Sequence, residues 1–250
     1  MAQDQFLIII LDFGSQYTQL IARRIREMSV YCEIRPCTEG PPSDPEERSR
    51  IQALVLSGGP SSVYDADAPP FDKSWLELDV PVLGICYGMQ LLATTGGGGV
   101  GRAERREYGH ADLEITESSP LFTGIDPKTS VWMSHGDHVE RLPEGWKAVA
   151  RTPNCPVTAM ADPSGTRFGI QFHPEVTHTH QGVQMLQNFV LAISRATADW
   201  SMGSFVERQV EEIRRKVGDD HVICGLSGGV DSSVAAALIH RAIGEQLHCI

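Results

Sequence analysis

The chain has 250 residues, 41% of them hydrophobic, and a formal net charge of −11. Its length allows one or two domains at about 150 residues each, and its apolar share fills an ordinary core, which excludes a disordered or membrane-embedded class. The negative balance argues against unspecific binding to nucleic acid or anionic lipid, while leaving room for small anions held by local dipoles.

No apolar run approaches the ~18 residues of a spanning helix. The N-terminus, Met1-Ala-Gln-Asp-Gln, lacks the basic region of a signal peptide. Cysteines at 32, 37, 86, 155, 224 and 249 contain no C-x-x-C pair, so neither a zinc site nor a disulfide framework is expected. These features predict a cytoplasmic enzyme with reduced thiols.

Phe6–Leu11 reads as a strand buried on both faces, and Asp12–Gln16 as a turn. Tyr17, Leu20, Ile21, Ile25 and Met28 then recur at helical spacing. Cys32–Arg35 is a second short strand, followed by a proline-rich loop at Gly40–Pro45. Gln52–Leu56 is a third strand that runs straight into Ser57-Gly-Gly-Pro-Ser-Ser62, and Phe71–Leu78 predicts a short helix. Pro81–Ile85 is the next buried strand, and Gln90-Leu-Leu-Ala opens another helix. This alternation predicts an α/β fold, an open and mostly parallel sheet with flanking helices and sites at the C-terminal strand ends.

Gly96–Gly99 ends that helix. From Ala111 to Asp162 the pattern shifts to short strands at Ala111–Thr116, Ser130–Met133, Trp146–Arg151 and Val157–Ala161, predicting an added antiparallel portion. Phe168–Phe172 is a further strand, ending at His173-Pro-Glu175, and Gln181–Ser194 is a helix. Thr197–Ser204 is the candidate linker. Helix Phe205–Val217, strand His221–Leu226, helix Asp231–Ile243 and strand Gln246–Ile250 then begin a second α/β unit. That unit is too short to close a core of its own.

Cys86 sits at a strand-to-helix turn with glycine at both second neighbours, Gly84-Ile-Cys-Tyr-Gly88. A strained elbow of this kind lifts one side chain out of the sheet, and the following helix points its positive dipole end at it. The array predicts a catalytic nucleophile rather than a structural cysteine. In His173-Pro-Glu175, positions i and i+2 share a strand face, so the carboxylate can orient the imidazole as the acid of a triad does. Gly58-Gly59 follows a buried strand, and its backbone N–H groups with that of Tyr87 suit an oxyanion. Ser134-His135-Gly136-Asp137-His138, where Gly136 marks a loop, reads as a substrate-contact loop or plain turn. With His178 and His180 downstream it lacks the cysteine or carboxylate spacing of a metal site. Ser227-Gly-Gly-Val-Asp-Ser232 lies between a strand and a helix, where backbone amides bind phosphate, and it lacks the ending of a Walker loop.

Gly84-Ile-Cys-Tyr-Gly-Met-Gln90 with His173-Pro-Glu175 resembles the class I glutamine amidotransferases, a flavodoxin-like fold. Leu11–Gln19, Leu56–Val63, Arg106-Glu-Tyr-Gly109, Met133–Asp137 and Leu226–Val234 extend the likeness, in order, to the glutamine-hydrolysing GMP synthetase family. The resemblance implies an amidotransferase domain at 1–196, a linker at 197–204 and the start of an ATP pyrophosphatase domain at 205–250. It implies Cys86, His173 and Glu175 as catalytic triad and Gly59 and Tyr87 as oxyanion hole. Gln90, Ser134, His135 and Asp137 would contact glutamine, and Ser227, Gly228, Gly229, Val230, Asp231 and Ser232 would bind ATP. The complete family enzyme uses ATP and Mg²⁺ to aminate xanthosine monophosphate to GMP and forms a homodimer through a region beyond this stretch, so the chain is expected to lack a complete synthetase site. Glutamine hydrolysis itself needs no cofactor. Another triad amidotransferase is one alternative. An α/β thiol hydrolase is a second, but its triad runs nucleophile, acid, histidine, whereas here the histidine precedes the acid.

Overall fold

Leu7–Asp12 forms the first strand, β1, and it lies inside the sheet because both of its faces are apolar. Ile8 and Ile10 pack into one core cluster, and Leu7, Ile9 and Leu11 into another on the opposite face. Full burial of each such side chain contributes roughly 1.5–3 kcal/mol. The structure, a computed structural model, describes residues 6–250, with Glu104 described by its backbone alone.

Helix α1 (Thr18–Glu27) buries Ile21, Ala22 and Ile25 against the sheet. It leads to β2 (Cys32–Pro36), the short helix α2 (Pro45–Ser49) capped by Asp44, and β3 (Ile51–Leu56). The predicted helix at Phe71–Leu78 is a single 3₁₀ segment, Lys73–Glu77, that buries Trp75. Then come β4 (Val82–Ile85) and α3 (Tyr87–Thr95). Strands β5 (Gly99–Ile115), β6 (Lys128–Arg141), β7 (Lys147–Arg151), β8 (Ala159–Ala161) and β9 (Arg167–Ile170) follow. Helix α4 (Gly182–Gln187) runs on as a π-helical stretch, Asn188–Ile193.

These strands make one nine-stranded sheet in the order β2-β1-β3-β4-β9-β8-β7-β5-β6. The half from β2 to β9 is parallel, and every pairing from β9 to β6 is antiparallel. The sheet is therefore mixed. The parallel half brings the C-terminal ends of β3, β4 and β9 side by side.

The antiparallel half departs from the sequence reading in one respect that matters for the site. Ser134–Asp137 is not a loop: it lies within β6, and β5 begins at Gly99, twelve residues before the apolar stretch that predicts it. The outer half of this hairpin is polar and lacks the alternation that marks a strand in sequence. Its pairing is interrupted where residues 103–106 stand opposite Gly136 alone, between the pairs Arg102↔Asp137 and Glu107↔His135. The bulge re-aims the neighbouring side chains.

By contact density the chain divides after Asp199. Within the second unit, α5 (Met202–Val217) starts inside the expected linker. There Ser201 and Ser204 form a reciprocal capping box. β10 (Val222–Cys224) and β11 (Leu247–Cys249) pair in parallel beside α6 (Val230–Ile243). Val210, Ala242 and Ile243 form a small core, while Ile223 and Ile250 remain exposed. Among the described residues no helix is long and apolar enough to cross a membrane.

Candidate active site

β4 ends at Ile85 and α3 starts at Tyr87, so Cys86 alone makes the turn. Its backbone lies at φ 52°, ψ −105°. Such a conformation costs a non-glycine residue about 1–3 kcal/mol and persists only where its surroundings enforce it. They do so here through close approach: a Cβ at Gly84 would lie 2.5 Å from the Gly88 carbonyl, and one at Gly88 2.3 Å from the Leu56 oxygen. The Cys86 N–H donates to Ile170 O (2.7 Å) and the Gly88 N–H to Ser57 O (3.1 Å), tying the elbow to both neighbouring strands.

Because Ile85 pairs with Ile170, the chain leaving β9 passes directly beside Cys86. Gln171 comes first and His173 two residues later. The His173 Nδ1 lies 2.8 Å from Glu175 Oε1, and Glu175 is fully buried. Gly58 is wedged between the other two groups: a Cβ there would sit 3.2 Å from His173 Cε1 and 3.7 Å from Cys86 Cβ. Helix α1 supports the arrangement from outside. Tyr17 meets the imidazole edge-on at 5.0 Å, and Arg24 Nε donates to the Glu175 carbonyl at 3.1 Å.

Burial by itself disfavours a charged imidazole at His173, but hydrogen bonds to Cys86 and Glu175 outweigh it and lift its pKa to about 10. The group that results is a charged ring held between a sulfur and a carboxylate. Such a ring can give a proton to a leaving group and take one back from water.

Cys86 opens into a cavity of about 370 Å³ that also reaches Gly59, Tyr87, Gln90 and the stretch Ser134–Asp137. All the residues expected to contact glutamine or an oxyanion therefore converge there, joined by Arg102, Arg106 and Tyr108 from the hairpin. Their side chains are not equally free. Gln90 Nε2 donates to Asp137 O (2.9 Å) and Gln171 Oε1 (3.3 Å). The Asp137 carboxylate accepts from Ser62 Oγ and from Tyr64 OH (2.9 Å for the latter). The His135 ring turns inward, with Nδ1 at 2.9 Å from Asp137 O and Nε2 at 3.2 Å from Glu107 Oε2, so only its main chain is left for a substrate.

Glu107 and Gln171 are the polar groups that the sequence reading left without a role. Gln171 was visible as the one polar residue in the apolar run Phe168–Phe172. Glu107 carried no such signal, because its burial depends on the cross-strand pair with His135. Glu107 also accepts from Thr152 Oγ1 and Asn154 Nδ2, at 3.0 and 3.3 Å. Glu107, His135 and Cys155 place ligand-type atoms within 4.8 Å of one another. These atoms are already committed, however, since Cys155 Sγ donates to Val157 O at 3.4 Å. His178 packs on Trp132 at 4.5 Å and His180 bonds to Thr129, so these two histidines do not join that cluster.

A larger groove, about 830 Å³, lies where β5, β6 and β7 meet, beside Leu113, Lys128, Arg151 and Pro156. Both of its cations, Lys128 and Arg151, pair with Glu114, Arg151 at 2.8 Å. It holds none of the expected site residues, so volume is a poorer guide here than chemistry. In the second unit, Ser227, Gly228 and Gly229 form an exposed bend between β10 and α6, and Val230, Asp231 and Ser232 open that helix. The Ser227 and Ser232 hydroxyls lie 3.0 Å apart, and Gly228 is at φ 79°.

Residues 9–193 match the family model for glutamine amidotransferase class-I, and residues 202–250 that for NAD synthase. The chain is similar to the glutamine-hydrolysing GMP synthase of Heliobacterium modesticaldum, at 51% identity over 250 residues, covering 100% of this chain and 48% of that protein. It is 53% identical over 247 residues to the Maridesulfovibrio salexigens protein of the same name, covering 97% and 47%. The chain thus spans about half the length of the curated relatives it matches. The crystal structure of a putative GMP synthase component from Thermoplasma acidophilum has a TM-score of 0.68 and 29% identity, covering 82% of this chain and 98% of that one. A glutamine amidotransferase from Thermotoga maritima, at 20% identity and TM-score 0.58 over 97% and 92%, shares the fold.

Proposed function

This chain belongs to the class I glutamine amidotransferase family, and we propose that it hydrolyses glutamine to supply ammonia for the amination of xanthosine monophosphate to GMP. The observation that carries this reading is Cys86 on a strained elbow, facing a histidine whose far nitrogen is held by a buried carboxylate. The Cys86 thiolate attacks the side-chain amide carbon of glutamine, and the carbonyl electron pair moves onto oxygen, held by the Gly59 and Tyr87 amides. His173 gives its proton to the amide nitrogen, and ammonia leaves as the thioester forms. Neutral His173 then takes a proton from water, which attacks the thioester. Cys86 departs as thiolate and glutamate is released. Glu175 keeps the imidazole oriented through both halves.

Gln90 and the Ser134–Asp137 segment hold glutamine in the cavity, Asp137 through its carboxylate and His135 through its main chain. Residues 197–204 link the amidotransferase domain to the beginning of a synthetase domain. In that domain Ser227, Gly228, Gly229, Val230, Asp231 and Ser232 would cradle phosphate at the start of α6. ATP with Mg²⁺ activates the nucleotide for attack by ammonia in the complete synthetase. Its homodimer contact is assigned to the length that the relatives have and this chain does not match, and the enzyme to the cytoplasm.

The test is glutamate release from glutamine by the chain, alone and with the synthetase portion of a longer relative supplied in trans. Glutamate is expected in at least the second case, with loss of about 10³-fold or more in His173→Ala. Absence of glutamate under both conditions overturns the proposal.

A further inference from the structure

The reacting sulfur has a polar neighbour besides His173 that could support a negative charge. Gln171 Nε2 lies 3.5 Å from Cys86 Sγ, and Gln171 is fully buried. Opposing it is the Ser134 carbonyl oxygen, 3.7 Å from the same sulfur, which can accept from a thiol but offers nothing to a thiolate.

Which end of the Gln171 amide faces sulfur follows by elimination. The Asp137 carbonyl oxygen only accepts, so the Gln90 atom 2.9 Å away must be nitrogen. That same nitrogen is 3.3 Å from the Gln171 side chain, whose nearer atom must therefore be oxygen. The Gln171 NH₂ is left pointing at sulfur. Its register makes this unavoidable, since Gln171 is the next residue along from the Ile85↔Ile170 pair that precedes Cys86.

We propose that Gln171 is the second N–H donor to the Cys86 sulfur, stabilising the thiolate and fixing its direction of attack, with Gln90 holding the amide in the productive orientation. The proposal rests on the reading of Cys86 as nucleophile. A donor aimed at an acceptor favours the charged form of that acceptor, and in a water-poor site the preference is large. A carboxamide suits the place because it donates without titrating. It therefore does not compete for the proton that passes between Cys86 and His173. A buried glutamine left with one end unpaired is destabilising, so the contact to sulfur also satisfies Gln171 itself.

The experiment measures, in the 250-residue chain, the rate of Cys86 alkylation by iodoacetamide as a function of pH, followed by the mass of the peptide carrying Cys86. Gln171→Met keeps the volume and removes the donor. Its alkylation midpoint is expected to rise by about one pH unit, with about tenfold slower labelling below both midpoints. Gln90→Met, which leaves the sulfur untouched, is expected to shift the midpoint less and in the same direction. A folded Gln171→Met, judged by unchanged circular dichroism and thermal midpoint, that keeps the wild-type profile overturns the proposal. Should Gln171→Met not fold, an unmoved profile in Gln90→Met overturns it equally. Wild-type Cys86 labelled no faster than Cys155 would instead remove the nucleophile reading, a distinct outcome.

Discussion

Two groups made of one cysteine, one histidine and one glutamate lie on the same sheet. Cys86, His173 and Glu175 sit at the C-terminal ends of the parallel strands. Glu107 and His135 pair across the outer half of the antiparallel hairpin, beside its bulge, and Cys155 joins them from the loop after β7. In the second group every donor and acceptor is spent internally: Glu107 takes three partners, both His135 nitrogens face fixed acceptors, and Cys155 donates to a carbonyl. Burial pushes the Cys155 thiol up to about 11, beyond the weak opposing effect of Thr158. In the first group the cysteine is forced out of an ordinary backbone conformation, lines a cavity and faces an imidazole shared between it and Glu175, whose second carboxylate oxygen is buried without a partner. The same residue types thus give a structural clamp in one place and a reactive arrangement in the other. The difference lies in access and in unspent hydrogen-bonding capacity.

The sharpest way to break this comparison is to exchange each sulfur for hydrogen. Cys86→Ala is expected to abolish labelling by a glutamine-analogue alkylator and to lower glutamate release by about 10⁴-fold or more. Cys155→Ala is expected to leave release within about twofold and to cost about 1–2 kcal/mol in stability, the ordinary cost of a small buried side chain. Equal losses of activity would show that the clamp is catalytic too.

The carboxylates should differ in the opposite sense. Glu107→Ala strands His135 and Thr152 inside the protein, and is expected to lower unfolding free energy by about 3–5 kcal/mol in urea titration. Glu175→Gln is expected to reduce turnover by about 10²–10⁴-fold with a much smaller stability change, since it disturbs the tautomer of His173 rather than the packing.

A smaller effect separates the groups along the pH axis. The His173 pKa is raised from 6.5 to about 10, so its contribution to stability is fully present below pH 6.5 and is lost as pH rises through about 10. The Glu107 pKa is lowered from 4.5, because hydrogen bonds from His135, Thr152 and Asn154 outweigh the opposing effect of burial. Its contribution is present above 4.5 and is lost as pH falls through the lowered value. Urea midpoints against pH should therefore fall less steeply on the alkaline side in His173→Gln, and on the acid side in Glu107→Gln.

Much of the parallel half was legible in the residues alone. β1, β3 and β4 announced themselves as apolar runs, and the elbow by the spacing of Gly84, Cys86 and Gly88. The hairpin was legible only at its apolar base. Its outer strands, Gly99–His110 and Ser134–Arg141, are mostly polar and charged, and apart from the Val100↔Val139 pair that packs into the core they are held by pairing with each other. For that reason Ser134–Asp137 reads as a loop in sequence and is strand in the fold. The clamp was invisible for the same reason, because Glu107, His135 and Cys155 are far apart in the chain and meet only through register.

The local pattern of the sequence by itself singled out Cys86, His173 and Glu175, since a turn that needs glycines at two fixed places and a strand that points i and i+2 the same way are short-range constraints. Only the tertiary structure decided what surrounds that sulfur. The parallel register of β4 and β9 brings Gln171 to Cys86. The pairing of β5 with β6 turns the His135 ring away from the cavity and into the clamp. Both depend on which strands lie side by side, a long-range choice set by the whole core.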